Sequence, residues 1–169
     1  MDFIWLASYP RSGSFLTRTI LFNCFNIKSA AIYPNDCDNK KLSNYVGHID
    51  HMNSDTRKIN ITFPEGQPNI IKTHELSNDN RKAIYIIRDG RASLVSLYEY
   101  YNKKIPFKDI IEGRTRFGKW RDHVKSWDPL NRKDTLLLSY EELTNDLQSN
   151  LMKISDFLKV EIINNQIPS

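Results

Sequence analysis

In the stretch Ser8-Tyr9-Pro10-Arg11-Ser12-Gly13-Ser14, a lone guanidinium stands among hydroxyl side chains and a glycine, directly behind the apolar run Phe3–Ala7. A strand passing through such a loop into a helix leaves the first helical N–H groups unpaired, and the helix dipole adds partial positive charge there. Gly13 lets main chain approach a ligand closely. Arg11 supplies a fixed charge, and Ser12, Ser14 and Thr17 supply hydroxyl donors. Together they suit a phosphate or sulfate. The G-x-x-x-x-G-K-[ST] spacing of a Walker A loop is absent. Taken alone, the segment is also compatible with an ordinary strand-to-helix turn carrying a surface arginine.

Two further segments carry chemistry. Arg88-Asp89-Gly90-Arg91, with Ser96 on the helix that follows, offers a second helix start with basic residues, hence a second anion site. Two such sites on neighbouring strand ends suit a ligand with two separated phosphates. The competing reading pairs Arg88 with Asp89 or Glu99. Lys72-Thr73-His74-Glu75 closes another apolar run. Strand alternation puts Lys72 and His74 on one face and Thr73 on the other. A histidine is more often structural than catalytic, but one that ends a parallel strand two residues from a lysine is a candidate base.

These segments need elements to hold them. Phe3–Tyr9, Asn69–His74, Ala83–Arg88 and Thr135–Tyr140 read as strands apolar on both faces. Helical spacing of Leu16, Ile20, Cys24 and Ile27 predicts a helix after the first strand. Leu94, Leu97, Tyr98 and Tyr101 mark another, Phe117–Trp127 a third, and Leu147, Leu151, Ile154 and Leu158 a last one. Residues 28–68 are weakly patterned and read as loops and short elements. Strands alternating with helices imply a parallel sheet covered on both sides, and such sheets bind ligands outside the carboxyl ends of their strands. That rule gathers Arg11, His74, Arg88 and Tyr140 on one edge.

The 169 residues fit one domain, 1–169, with a single core. The net charge of +4 suits an anionic ligand without demanding nucleic acid. The two cysteines have no metal or disulfide spacing, and Cys24 reads as a buried thiol. The Phe3–Ala7 run is too short to span a membrane, so the expectation is a soluble, cytoplasmic protein. His48 and His51 read as surface histidines rather than a metal pair, since no carboxylate pattern accompanies them. His123 reads as packing its helix, and Glu141 and Glu142 as helix-start charges. Tyr98, Tyr100, Tyr101, Phe107, Phe117 and Trp120 read as core, with some available to line a pocket.

The ordered segments SYPRSGS, IIKTHE, AIYIIRDGRASLVSLYEYY, WRDHVKSW and LLLSYEELTNDLQSNLMKISDFLKV resemble those of the sulfotransferases that use PAPS (3′-phosphoadenosine 5′-phosphosulfate). The resemblance covers most of the chain. It implies a three-layer α/β/α fold with a central, mostly parallel sheet and a P-loop-like phosphosulfate-binding loop. It implies that Arg11, in the place of the usual lysine, and Ser12, Gly13 and Ser14 hold the 5′-phosphosulfate. Arg88 and Ser96 match the 3′-phosphate pair, Tyr140 a tyrosine near adenine, His74 the general base, and Lys72 the lysine at the sulfuryl group. The implied reaction moves a sulfuryl group in line from PAPS to a hydroxyl on a phenol or other small alcohol. No metal, nucleic acid or membrane partner is expected. A histidine with the ordinary pKa of about 6.5 suits the base role. The alternatives are a weakly catalytic phosphoadenosine-nucleotide-binding module and an ATP-dependent phosphotransferase.

Several departures are visible. Leu16 stands where relatives place a tryptophan against adenine, with Phe15 or Trp120 as substitutes. Arg11 keeps its charge but donates no proton as a lysine does. The Arg-Lys-Gly segment of relatives is not present in this sequence, which reads as a small, C-terminally short member. Arg91, Arg18 or a lysine would then cover the 3′-phosphate, or donor affinity would be weak. Glu75 is a second candidate base, since some carbohydrate-modifying relatives use glutamate, although it points to the opposite face if the strand continues.

Overall fold

The computed structural model describes residues 2–33, 36–37, 39–50 and 61–167. Five parallel strands form one sheet in the order β2-β3-β1-β4-β5: β1 (Ile4–Ser8), β2 (Ser29–Ala31), β3 (Ile70–Thr73), β4 (Ala83–Ile87) and β5 (Thr135–Ser139). β1 is central, pairing Ala7 with Thr73 on one side and with Tyr85 on the other. The chain leaves β1 for the far edge at β2 and later returns to β1's other side, so strand order reverses beside β1. Open parallel sheets bind ligands at such a point.

Strand alternation sorts the core into two layers. Leu6, Ile70, Ile84, Ile86 and Leu138 pack with Ile20, Cys24, Leu151 and Ile154 on one face. Those partners come from α1 (Ser14–Phe25) and α7 (Leu147–Leu158). Trp5, Ala7, Ile71, Ala83 and Tyr85 pack with Trp127, Ile32 and Ile61 on the other. Trp127 ends α5 (Trp120–Trp127). The expected three-layer α/β/α arrangement is the one observed.

The expected strands appear within a residue or two of their boundaries. β2 was not expected: it is only Ser29-Ala30-Ala31, buried throughout, too short and small-sided to stand out as an apolar run. Short α2 (Lys40–Tyr45) falls among the short elements expected over residues 28–68, whereas α4 (Phe107–Ile111) was not anticipated. α1 stops at Phe25 because Asn26 turns left-handed at φ 55°, and Ile27 N–H donates back to Leu21 at 2.9 Å, so Ile27 lies beyond the helix. The last helix is two, α6 (Tyr140–Asn145) and α7, with Asp146 capping α7 by accepting from Ser149 N–H. Tyr140 therefore opens a helix rather than closing β5. Cys24 is buried, as expected.

Candidate functional site

A cleft of about 700 Å³ lies at the carboxyl ends of the strands, lined among others by Arg11, Gly13, Lys72, His74, Arg88 and Tyr140. These residues come from four segments, the first and last separated by 129 residues of chain, and the sheet alone brings them together.

The loop after β1 is built on left-handed backbone. Arg11 has φ 66° and Gly13 φ 109°. A Cβ on Gly13 would lie 2.7 Å from Cδ2 of Tyr140, so the ring of Tyr140 occupies the space a side chain would need. Gly13 is the N-cap of α1 and offers no side chain to the helix's first N–H groups. Ser14 and Phe15 line the cleft at this uncapped start. Ser12 and Thr17 are placed otherwise. Ser12 Oγ lies 3.1 Å from Ser93 Oγ, and Ser12 N–H donates to the Tyr9 carbonyl, so Ser12 ties the loop to the helix that follows β4, away from the cleft. Thr17 donates its hydroxyl to the Gly13 carbonyl.

The junction after β4 differs. α3 (Gly90–Tyr100) is capped by its own Asp89, whose carboxylate accepts from Ala92 N–H. A carboxylate already complements this helix dipole, so the expected second anion site does not use a helix start. Asp89 also pairs with Arg91, and Glu99 with Lys103. Arg88 pairs with neither. It donates Nη1 to the Arg11 carbonyl at 2.9 Å, with its guanidinium 4.3 Å from the Tyr140 ring centroid. Arg11 in turn donates Nε to Ser96 Oγ at 3.2 Å. The two junctions are therefore clasped, not separate.

His74 is buried beside them. Its Nδ1 lies 2.7 Å from the Ser8 carbonyl oxygen, which can only accept, so Nδ1 carries the hydrogen and Nε2 holds the ring's lone pair. Tyr33 stacks on the ring and Phe117 meets it edge-on. Burial, and next the Lys72 ammonium, push His74 down to about 3. The expectation of an ordinary imidazole pKa is thus corrected: in the ligand-free protein the ring stays neutral throughout the physiological range.

Lys72 lines the same cleft, paired with Asp36, and Asp36 also accepts from Arg18 Nη1 at 2.7 Å. Arg18 is spent inside the fold on Asp36, Ser29 and His48, while Arg91 is exposed on its Asp89 pair outside the cleft. Neither is available to cover a 3′-phosphate. Trp120 packs against Gly90 and lines a different hollow, so it does not substitute for the adenine-stacking tryptophan. Phe15 and Leu16 do line the cleft, Phe15 stacked on Tyr45.

Three other expectations change. β3 ends at Thr73, so Glu75 is not held to the opposite strand face. It accepts from Tyr33 Oη at 3.2 Å and from Arg116 at 3.1 Å at the cleft edge. The His48 side chain is buried against Arg18 rather than on the surface, while His51 lies outside the described residues. Tyr100, expected in the core, is exposed and lines the cleft beneath Arg11. His123 is buried, its Nδ1 2.9 Å from Tyr85 Oη, and Glu141 sits in the first turn of α6, accepting from Asp89 N–H. Tyr33, Asp36 and Arg116 were not singled out from sequence. Nothing in their spacing distinguishes them, and only the fold brings them to His74 and Lys72.

The sulfotransferase domain family model matches residues 1–168. The chain belongs to the sulfotransferase family. Amine sulfotransferase from rabbit (Oryctolagus cuniculus) is 22% identical over 184 residues, covering 98% of this chain and 59% of that protein. Sulfotransferase 2B1 from Homo sapiens is 36% identical over 99 residues, covering 52% of this chain and 27% of that one. A mouse sulfotransferase crystallised with PAP superposes with a TM-score of 0.64 at 26% identity, covering 96% of this chain and 59% of that one. Retinol dehydratase, crystallised with androsterone and PAP, shares the fold at TM-score 0.66 and 21% identity, covering 96% of this chain and 60% of that one. This family member thus spans about 59% of the length of the rabbit relative. Among the described residues no helix is long and apolar enough to cross a membrane.

Proposed function

We propose that this chain is a PAPS-dependent sulfotransferase, transferring a sulfuryl group to the hydroxyl of a phenol or other small alcohol. One observation carries the reading: Arg11, Arg88, Lys72 and His74, from three different strand ends, line a single cleft. The mouse relative that binds PAP shares this fold over nearly the whole chain. The residues present fit such a donor. The uncapped start of α1 and Arg11 suit its 5′ anionic end. Arg88 and Ser96 stand next to them for the 3′-phosphate, and Tyr140 offers an aromatic wall for the base.

The donor supplies the sulfuryl group and keeps the electron pair of the broken sulfur–oxygen bond. His74 Nε2 takes the proton from the acceptor hydroxyl as its oxygen bonds to sulfur. Lys72, Arg11 and the α1 N–H groups stabilise the negative charge that grows on the leaving phosphate oxygen. Tyr33, Phe117, Leu97 and Tyr100 give the acceptor side aromatic and aliphatic walls. The depressed basicity of His74 has a role here: a bound polyanion beside it offsets both burial and the Lys72 charge, so the base strengthens when donor arrives.

Calorimetry with adenosine 3′,5′-bisphosphate against ATP, followed by turnover with PAPS and a panel of phenols, tests the reading. Binding of the bisphosphate with sulfation of at least one phenol is expected. A preference for ATP overturns the nucleotide assignment. Bisphosphate binding without turnover, unaffected by His74→Ala, reduces the chain to a nucleotide-binding module.

A further inference from the structure

The cleft holds a buried charge triad from three separate segments. Arg18 of α1 is 1% exposed in its side chain, Asp36 of the turn after β2 is 8%, and Lys72 of β3 is 12%. The Asp36 carboxylate is divided between the two cations. Oδ2 accepts from Arg18 Nη1 at 2.7 Å and Oδ1 from Lys72 Nζ. Arg18 cannot rotate away, because Nε donates to Ser29 Oγ at 2.9 Å and Nη2 to the Ser29 carbonyl at 3.1 Å and to His48 Nδ1 at 2.7 Å. Lys72 Nζ also lies 5.6 Å from the Tyr33 ring centroid. All three charged residues, with His74, line the candidate active-site cleft.

We propose that Asp36 is a positioning residue for sulfuryl transfer: anchored by Arg18, its carboxylate holds Lys72 in place as an ammonium ion beside His74. The assignment rests on the proposed role of Lys72 at the transferring group. A buried lysine without a counter-charge gives up its proton. Among the described residues, the groups facing Lys72 are Asp36 and Cys37 from the turn, Tyr33, Arg18 from α1 and His74 just past β3. Of these, Arg18 repels an ammonium, the Cys37 thiol is pushed up by burial and stays neutral, and His74 is neutral. Among the described residues, Asp36 is therefore the carboxylate that keeps Lys72 charged. Burial already lowers Lys72, and Asp36 works against it. A neutral amine in this place would neither stabilise a leaving phosphate nor help keep His74 deprotonated.

The test follows the Lys72 Nζ directly, by correlating ε-methylene and Nζ resonances in protein carrying ¹³C,¹⁵N-labelled lysine, with Lys72→Met assigning the signal. In Asp36→Asn the Lys72 titration is expected to move down by about one to three pH units, the usual effect of losing one close opposite charge. Asp36→Glu should restore most of it. With PAPS and a phenol, the alkaline limb of the kcat profile in Asp36→Asn should move the same way. Bisphosphate affinity in Asp36→Asn should be impaired less at pH 6 than at pH 8.5, because acidification favours the ammonium form of Lys72. A Lys72 titration that stays within about 0.3 of a pH unit of wild type overturns the proposal. If Asp36→Asn does not fold, the wild-type Asp36 carboxyl resonance decides: it should titrate below the ordinary aspartate range and rise in Lys72→Met, and an unchanged titration rejects the pairing. The Nζ measurement needs no turnover, so a chain that fails to sulfate any phenol defeats the functional reading while leaving this one to be decided separately.

Discussion

Arg88 Nη1 lies 2.9 Å from the carbonyl oxygen of Arg11, which fastens the loop after β4 to the loop after β1. Arg11 reaches across in the other direction to Ser96 of α3. Each of the two segments proposed to bind the donor's anionic ends therefore holds the other in place. Such preorganisation leaves less of the binding free energy to be spent on ordering loops.

Arg88→Ala should for that reason weaken more than one contact. It removes a cation from the cleft and leaves the Arg11 carbonyl without its donor. Bisphosphate affinity is expected to fall on the order of tenfold to a hundredfold, the range for a charge-assisted hydrogen bond. Hydrogen exchange at residues 10–14 should quicken in the same variant. Unchanged exchange there would separate the clasp from binding. Arg88→Lys should recover little, since an ammonium cannot both stack on Tyr140 and donate in the plane of the carbonyl.

His74→Ala should leave bisphosphate binding within a few fold and cut turnover by about 10² to 10⁴, the range for loss of a general base. Nuclear magnetic resonance of the ring adds a sharper check. The His74 titration, held near 3 in the free protein by burial and Lys72, should move upward when bisphosphate binds, because the added negative charge favours the imidazolium. A downward movement would contradict the mechanism.

Gly13→Ala should be costly at a position with no charge. Its φ of 109° is disfavoured for any residue with a Cβ, and that Cβ would sit 2.7 Å from the Tyr140 ring. A loss of about 1–3 kcal/mol in denaturant unfolding is expected. Gly13→Ala with Tyr140→Ala should recover the steric part and keep the backbone part. Full recovery in the double variant would show that the φ contributes nothing.

Stability should fall on mild acidification. His74 and His123 are held at about 3 and about 4 by burial, both below the ordinary value near 6.5. Between these limits the unfolded chain binds protons that the folded chain refuses, so stability is full above about pH 6.5 and declines as pH drops. Each histidine contributes a slope approaching about 1.4 kcal/mol per pH unit. Urea unfolding between pH 6.5 and 5, above the range where most carboxylates titrate, should show the decline. His74→Gln should flatten it, and an identical slope in that variant would remove His74 from the account.

Much of this site was legible in the residues. β1, β3, β4 and β5 are short apolar runs, and an apolar run bounded by polar turn residues is a local property of the chain. The rule that parallel sheets bind at their carboxyl edge places Arg11, Lys72, His74 and Arg88 together from the sequence alone, because it depends only on element order. What stayed hidden depends on partners distant along the chain. Asp89 closes the start of α3 with its own carboxylate, whereas Gly13 leaves α1 open, and a helix pattern does not reveal how its first turn is satisfied. Asp36 lies in a segment with no periodicity, and its significance comes from Arg18 and Lys72, 18 and 36 residues away. The weak basicity of His74 arises from burial under Tyr33 and Phe117, which only the assembled sheet and its flanking loops create. Residue types and order settle which groups are on the rim; desolvation and pairing, which need three-dimensional neighbours, settle what charge each group carries.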